Sequence, residues 1–229
     1  MHLVLVHGAG GTPSTWLKIA PILQTAGFDV TLVTNPMESL RGDIANTTAA
    51  VEATDGPVLL VGHSYGGAVI TGAGSHERIA GLVYLAAFGP DEGETVNGIV
   101  ERYDPAPVSA HMTRGPSGEW KSDHGGDYWD DIGWDLDPAL RPRWDAEGRP
   151  SADLIYKQAT RQPAWRRLPS WYVVAADDRT LVPEAQRDMA ARMKAQTYEF
   201  PGSHFLPLVH PGPAAAVVCE AVRAVGASA

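Results

Sequence analysis

Ser64 lies in Gly62-His63-Ser64-Tyr65-Gly66, a match to Gly-x-Ser-x-Gly, between the apolar run Val58–Val61 and the helix-like stretch Gly66-Gly67-Ala68-Val69-Ile70. A turn from strand to helix at this point is so sharp that side chains at the flanking positions would collide, and it displays the serine hydroxyl on its crest. That is how a nucleophile is presented. A hydroxyl attacks only when a base takes its proton, a carboxylate orients the base, and hydrogen-bond donors meet the developing oxyanion.

His204, in Pro201-Gly202-Ser203-His204-Phe205, follows a short strand pattern and is the candidate base. Asp177 and Asp178 lie just past the apolar run Trp171–Ala175, where either can accept the imidazole N–H, fix its tautomer and stabilise the imidazolium. An aspartate ahead of Pro183 can also serve as a helix cap. Other groups carry weaker signals. His7 and His63 sit in tight turns, where packing or hydrogen bonding is expected rather than general-base work, and His210 is expected in a loop. His124 with Asp123, Asp127, Asp130 and Asp131 lacks a recognised ligand spacing, so this cluster reads as a solvated loop and no metal is expected. Trp120, Trp129, Trp134, Trp144 and Trp165 crowd one segment, where they can line an apolar pocket or bury that segment on the core.

The elements that must position these groups alternate along the chain. Strands are expected at His2–Val6, Phe28–Val33, Val58–Val61, Ile79–Ala87, Trp171–Ala175 and Gln196–Phe200, and helices at Pro13–Ala26, Asp43–Thr54, Pro183–Lys194 and Pro213–Val225, besides the one after Ser64. Near-continuous apolar strands separated by helices imply an α/β fold with a mostly or wholly parallel sheet of about six strands, covered on both faces. Residues 88–169 differ in composition, being dense in Pro, Gly, Asp and Trp, with helices expected at Ser151–Arg161 and Glu94–Arg102. So long a segment is not expected to be a bare loop. It reads as a cap inserted into a core made of residues 1–87 and 170–229, standing over the carboxyl ends of the strands where ligands bind in open α/β folds.

Composition narrows the partners. Among 229 residues, 18 Lys plus Arg against 27 Asp plus Glu leave a formal charge of −9 with dispersed positive groups, which disfavours nucleic acid. The single Cys219, in an apolar stretch, cannot pair within the chain and is expected to pack as a small hydrophobe, so a reducing cytoplasm is the expected location. No basic and apolar leader precedes the first strand, and no apolar run reaches the ~18 residues of a membrane span. The expected molecule is soluble and unexported.

The order Ser64, aspartate, His204 resembles that of the α/β-hydrolase superfamily, in its compact branch of plant methyl esterases, hydroxynitrile lyases and bacterial esterases. The resemblance is carried by Val6-His7-Gly8-Ala9-Gly10-Gly11 with Trp16 downstream, by Val61–Gly67, by Ala175–Gln186 and by Phe200–His204. It implies that Asp178, spaced back from Pro183-Glu184-Ala185-Gln186, is the triad acid, with Asp177 as the alternative. It also implies an oxyanion hole made by the backbone N–H groups of Ala9 and Tyr65, each such donor typically worth ~3 kcal/mol in the transition state. The implied activity is hydrolysis of a small or medium apolar carboxylic ester or lactone through an acyl-enzyme, without metal or organic cofactor. Cofactor-independent lyase or cyclase chemistry with His204 as general base is an alternative, and a ligand-binding receptor is a third. Hydroxynitrile lyases of this branch carry a lysine after the catalytic histidine and a threonine after the first strand's histidine. This chain has Phe205 and Gly8 there, which argues against cyanohydrin cleavage.

Overall fold

The computed structural model describes residues 1–227. Its strands are β1 (His2–Val6), β2 (Asp29–Val33), β3 (Val58–His63), β4 (Ile79–Leu85), β5 (Met112–Arg114), β6 (Trp120–Ser122), β7 (Ser170–Ala175) and β8 (Gln196–Phe200). Six of them form one parallel sheet in the order β2-β1-β3-β4-β7-β8, and β5 and β6 make a separate antiparallel hairpin. The helices are α1 (Ile19–Thr25), α2 (Leu40–Glu52), α3 (Gly66–Ala73), α4 (Val96–Val100), α5 (Tyr128–Asp131), α6 (Arg141–Glu147), α7 (Leu154–Lys157), α8 (Pro183–Met193), α9 (Leu206–Val209) and α10 (Pro211–Gly226).

The four central strands β1, β3, β4 and β7 are buried on both faces, as their near-continuous apolar sequences require, while the edge strands β2 and β8 are partly exposed. On one face Val4, Leu60, Tyr84 and Tyr172 pack with Val51 of α2, Val69 of α3 and Met189 of α8. On the other, Leu3, Leu5, Val83 and Trp171 meet Ile19 and Leu23 of α1 and Val218 and Ala221 of α10. Burying one such Val or Leu contributes roughly 1.5–3 kcal/mol of transfer free energy, so alternate residues of one strand hold both layers. Cys219 packs against this second layer as a free thiol.

Register places the chemistry. Val6 is paired with Gly62, His63 with Leu85, Leu85 with Val173, and Ala175 with Phe200. The turns after β1, β3, β7 and β8 therefore emerge at one edge of the sheet. From β1 the chain goes to β2 on one side and then to β3 on the other, so the sheet's winding reverses between β1 and β3. That crevice is where open α/β folds take their ligands.

Several elements differ from expectation, each for a local reason. The helix expected over Pro13–Ala26 divides into a 3-10 turn at Pro13–Trp16 and α1. Pro21 lacks an N–H and is tolerated only in a first turn, where α1 places it. The helix expected from Asp43 begins earlier, at Leu40, because the Ser39 hydroxyl caps it by accepting from the Gly42 N–H at 3.1 Å. Glu94–Arg102 contracts to α4, since the Thr95 side chain caps Gly98 while the Glu94 carbonyl accepts from the Thr160 N–H outside the helix. Ser151–Arg161 contracts to the single turn of α7. Ser151 exchanges backbone hydrogen bonds with Trp120, and the Ala152 N–H donates to the Met37 carbonyl, so these residues are tied to other parts of the chain before a helix can begin. The β5–β6 hairpin in the same segment was not expected. Among the described residues, no helix is long and apolar enough to cross a membrane.

Candidate active site

Ser64 follows β3 directly and takes φ = 54°, a left-handed conformation that costs a non-glycine residue about 1–3 kcal/mol. The turn is held by the Gly67 and Phe88 N–H groups, which both donate to the Ser64 carbonyl at 3.0 Å. Its glycines are there for lack of space. A Cβ on Gly62 would fall 2.7 Å from the Gly66 carbonyl oxygen, and one on Gly66 would strike the carbonyl oxygens of Val6 and His7.

His204, on the turn after β8, is brought against Asp178, on the turn after β7. Its Nδ1 donates to Asp178 Oδ2 at 2.6 Å. The Asp178 carboxylate is fully enclosed and accepts three further bonds, from the Thr180 N–H (2.7 Å), the Leu181 N–H (2.9 Å) and Gln186 Nε2 (2.8 Å). A charge-assisted bond of this length fixes the imidazole with Nε2 as its free acceptor. The neighbouring Asp177 is exposed and accepts instead from the Gly202 N–H at 2.9 Å. Geometry thus separates two aspartates that chain position alone leaves open.

His63 supports the histidine from below. Its Nε2 donates to the His204 carbonyl at 2.8 Å, and the two rings lie 4.8 Å apart. Burial, with the nearby His204 adding to it, pushes His63 down to about 3, so it stays neutral. His7 is likewise pushed down to about 4 by burial. Its Nδ1–H donates to the Gly8 carbonyl (2.8 Å), and its Nε2 accepts from the Asn35 N–H (3.2 Å). Both histidines hold backbone in place. The Tyr65 hydroxyl donates to buried Asp43 at 2.7 Å; burial raises the Asp43 carboxyl above its usual range.

Ser64, His204, Ala9 and Tyr65 line one cavity of about 570 Å³, whose remaining walls include Val96, Val100, Met112, Trp120, Tyr128 and Trp144 from the inserted segment. Among the described residues, the Ser64 hydroxyl makes no hydrogen bond, and neither the Ala9 nor the Tyr65 backbone N–H has a protein acceptor.

The tryptophans divide between the two expected roles. Trp120 and Trp144 face the cavity, Trp165 is buried in the sheet core with its Nε1 donating to the Pro90 carbonyl, and Trp134 stacks with Arg179 near the surface. Trp129 and Trp144 pack on Phe205, the residue after His204. The acidic cluster is dispersed into pairs: His124 Nδ1 with Asp145, and Asp131 with His111 and Arg179. Among the described residues, no group of three or more His, Cys, Asp or Glu side chains is arranged to hold a metal ion. His210 caps the start of α10, its carbonyl accepting from the Ala214 N–H. Sequence reasoning assigned no role to Gln186, whose position on the first turns of α8 brings it to Asp178, nor to Arg149 and Ser151, which reach the loop after β1 from the inserted segment.

Similarity to known proteins runs along the same lines. The carbendazim hydrolyzing esterase of Nocardioides sp. (strain SG-4G) is 34% identical over 130 residues, 50% of this chain and 53% of that protein. Salicylic acid-binding protein 2 of Nicotiana tabacum is 34% identical over 118 residues, 45% of each chain. The chain therefore spans about half the length of the curated relatives it matches. The crystal structure of a pyrethroid hydrolase from Sphingobium faniae JZ-2 superposes with a TM-score of 0.82 over 96% of each chain at 20% identity, a likeness of fold. The model of the alpha/beta hydrolase family matches residues 3–217, nearly the whole chain. With a parallel sheet wound about its β1–β3 crevice and a strained serine at the end of β3, this chain belongs to the alpha/beta hydrolase family.

Proposed function

We propose that the protein is a carboxylic-ester hydrolase acting on a small or medium apolar ester or lactone, with Ser64 as nucleophile, His204 as base and Asp178 as the acid that orients it. The observation that carries this reading is the 2.6 Å bond from His204 Nδ1 to enclosed Asp178, made at the wall of an apolar cavity that Ser64 also lines. His204 Nε2 takes the Ser64 proton as Oγ attacks the carbonyl carbon. The oxyanion receives the Ala9 and Tyr65 N–H groups, and the protonated imidazole passes its proton to the departing alcohol. Water, deprotonated by the same Nε2, then releases the acid and restores Ser64.

Residues 88–169 act as the cap in this reading and the core comprises residues 1–87 and 170–229, since the inserted side chains supply most of the cavity's apolar wall. Specificity then resides in the cap. The unpaired Cys219 suits a reducing cytoplasm. The partner is a small ester, and the triad needs no cofactor.

The test is a panel of short-chain aryl and methyl esters assayed with the wild-type protein and with Ser64→Ala, together with mass analysis after a fluorophosphonate. Wild-type turnover lost by more than ~10³-fold in Ser64→Ala, with a single adduct on Ser64, is expected. A folded wild-type protein that leaves every ester intact refutes the esterase reading. Turnover without any acyl-Ser64 intermediate points instead to general-base lyase or cyclase chemistry at His204.

A further inference from the structure

We propose that Arg149 and Ser151, carried by the inserted segment, are positioning residues for the loop Gly8–Gly11 and so set the aim of the Ala9 N–H. The inference rests on the ester-hydrolase reading, because it concerns the donor that meets the oxyanion.

Each peptide unit of that loop is hydrogen-bonded, the first by Gly11 and the adjacent His7 and the others from the insert. The Gly8 carbonyl accepts from His7 Nδ1 and from the Gly11 N–H at 3.2 Å. Since a trans peptide points its C=O and N–H in opposite directions, fixing the Gly8 oxygen also fixes the Ala9 N–H of the same planar unit. The next two units are held from the insert: the Gly10 N–H of the Ala9–Gly10 unit donates to Ser151 Oγ at 3.0 Å, and the Gly10 carbonyl of the Gly10–Gly11 unit accepts from the Arg149 N–H at 3.0 Å. The Gly11 carbonyl accepts from Arg149 Nη2 (3.0 Å) and Nε (3.3 Å). The same Nη2 reaches the Asn35 carbonyl at 3.0 Å and lies 3.4 Å from His7 Nε2. One guanidinium therefore ties the loop that bears Ala9 to Asn35, two residues past β2, whose N–H steadies His7. Among the described residues, Arg149 has no carboxylate partner, and its donors go to backbone oxygens around this loop.

The loop needs such a clamp. Gly10 adopts φ = 70° in a run whose only side chain is the Ala9 methyl, packed on the sheet core. An oxyanion donor is worth most when its position is set before reaction, and misplacement by about 1 Å can cost ~100-fold. In this protein the inserted segment both walls the cavity and sets one half of the oxyanion hole.

The experiment compares wild type, Arg149→Ala, Arg149→Lys and Ser151→Ala on one ester substrate, with inhibition by an arylboronic acid as a tetrahedral anion mimic. Arg149→Ala should lower kcat by ~10–100-fold with KM within ~3-fold, and weaken boronate binding by a similar factor. Added guanidinium ion should restore part of the lost kcat, and Arg149→Lys should retain more activity than Arg149→Ala. Ser151→Ala, the loss of a single oxygen atom, should show the same kcat-dominated pattern at a smaller size; it also decides the matter if Arg149→Ala does not fold. Values of kcat and boronate affinity within twofold of wild type in the folded variants overturn the clamp, as does a loss confined to KM or to thermal stability. Wild-type protein with neither ester turnover nor a Ser64 adduct instead refutes the hydrolase reading, and the clamp's purpose falls with it.

Discussion

The carboxyl edge of the sheet and the inserted segment hold their functional side chains by different means. At the edge, Ser64, His204 and Asp178 sit within a few residues of strands whose backbone ladders fix their spacing, and the strain at Ser64 is carried by buried neighbours on both sides. The insert has one hairpin of two three-residue strands, four short α-helices and three 3-10 helices. Its own small cluster of Tyr128, Ile132 and Leu136 packs on Phe205 and Leu208, and its backbone ties to the core run through residues such as Ala152 and Arg149. A ladder is cooperative and tolerates little change; a set of separate side-chain anchors can be altered one at a time. In the proposed reading, chemistry rests on the first kind of support and selectivity on the second.

Substitution should separate the two regions by kinetic parameter. The largest effect is expected at the edge. Asp178→Asn keeps an oxygen for Thr180 and Leu181 but upsets the histidine's tautomer, and should lower kcat by ~10³–10⁴-fold, whereas Asp177→Asn should stay within ~3-fold. Steady-state kinetics on both variants checks this, and the reverse order would transfer the orienting role to Asp177.

A smaller effect concerns stability of the same edge. His63 and His7 are held down to about 3 and about 4 by burial, against an ordinary value of 6.5. The unfolded chain therefore takes up their protons first, and native stability falls as pH drops below 6.5, by on the order of 3 kcal/mol from His7 alone once pH reaches its folded value. Denaturation at pH 7.5, 6 and 5 should show this loss, with a shallower slope in His63→Gln. Equal slopes in the variant and wild type would mean that His63 is not held neutral.

The smallest effect is expected in the insert. Trp144→Ala removes a cavity wall whose ring lies 5.0 Å from Phe205, and should raise KM for an apolar ester ~3–10-fold while kcat changes less than ~3-fold. A kcat loss as large as that of Asp178→Asn would erase the distinction between the two supports.

How far each region could be read from the sequence follows the same division. Five of the sheet strands are marked by short apolar or β-branched runs and β8 by Tyr198 and Phe200 alternating with polar residues, because a strand declares itself through its own residues. The serine turn is equally local, since its glycines answer to backbone crowding within five positions. The insert is different. Ser151–Arg161 has a helical pattern, yet Ser151 and Ala152 bond to Trp120 and Met37, partners that no local pattern announces. Gln186 belongs to a recognisable helix start, but its bond to Asp178 depends on how α8 packs against β7.

By itself, the sequence determined an α/β chain with a parallel sheet, a serine on a forced turn, and a histidine and two aspartates in the order Ser, Asp, His. Those features are local, written in apolar period, glycine placement and chain order. Only the tertiary structure decided that Asp178 rather than Asp177 meets His204, that His63 and His7 serve as neutral props, and that Arg149 and Ser151 reach back to the loop bearing Ala9. Each of these depends on the direction of a side chain across a long sequence separation, and such directions are settled when the layers pack.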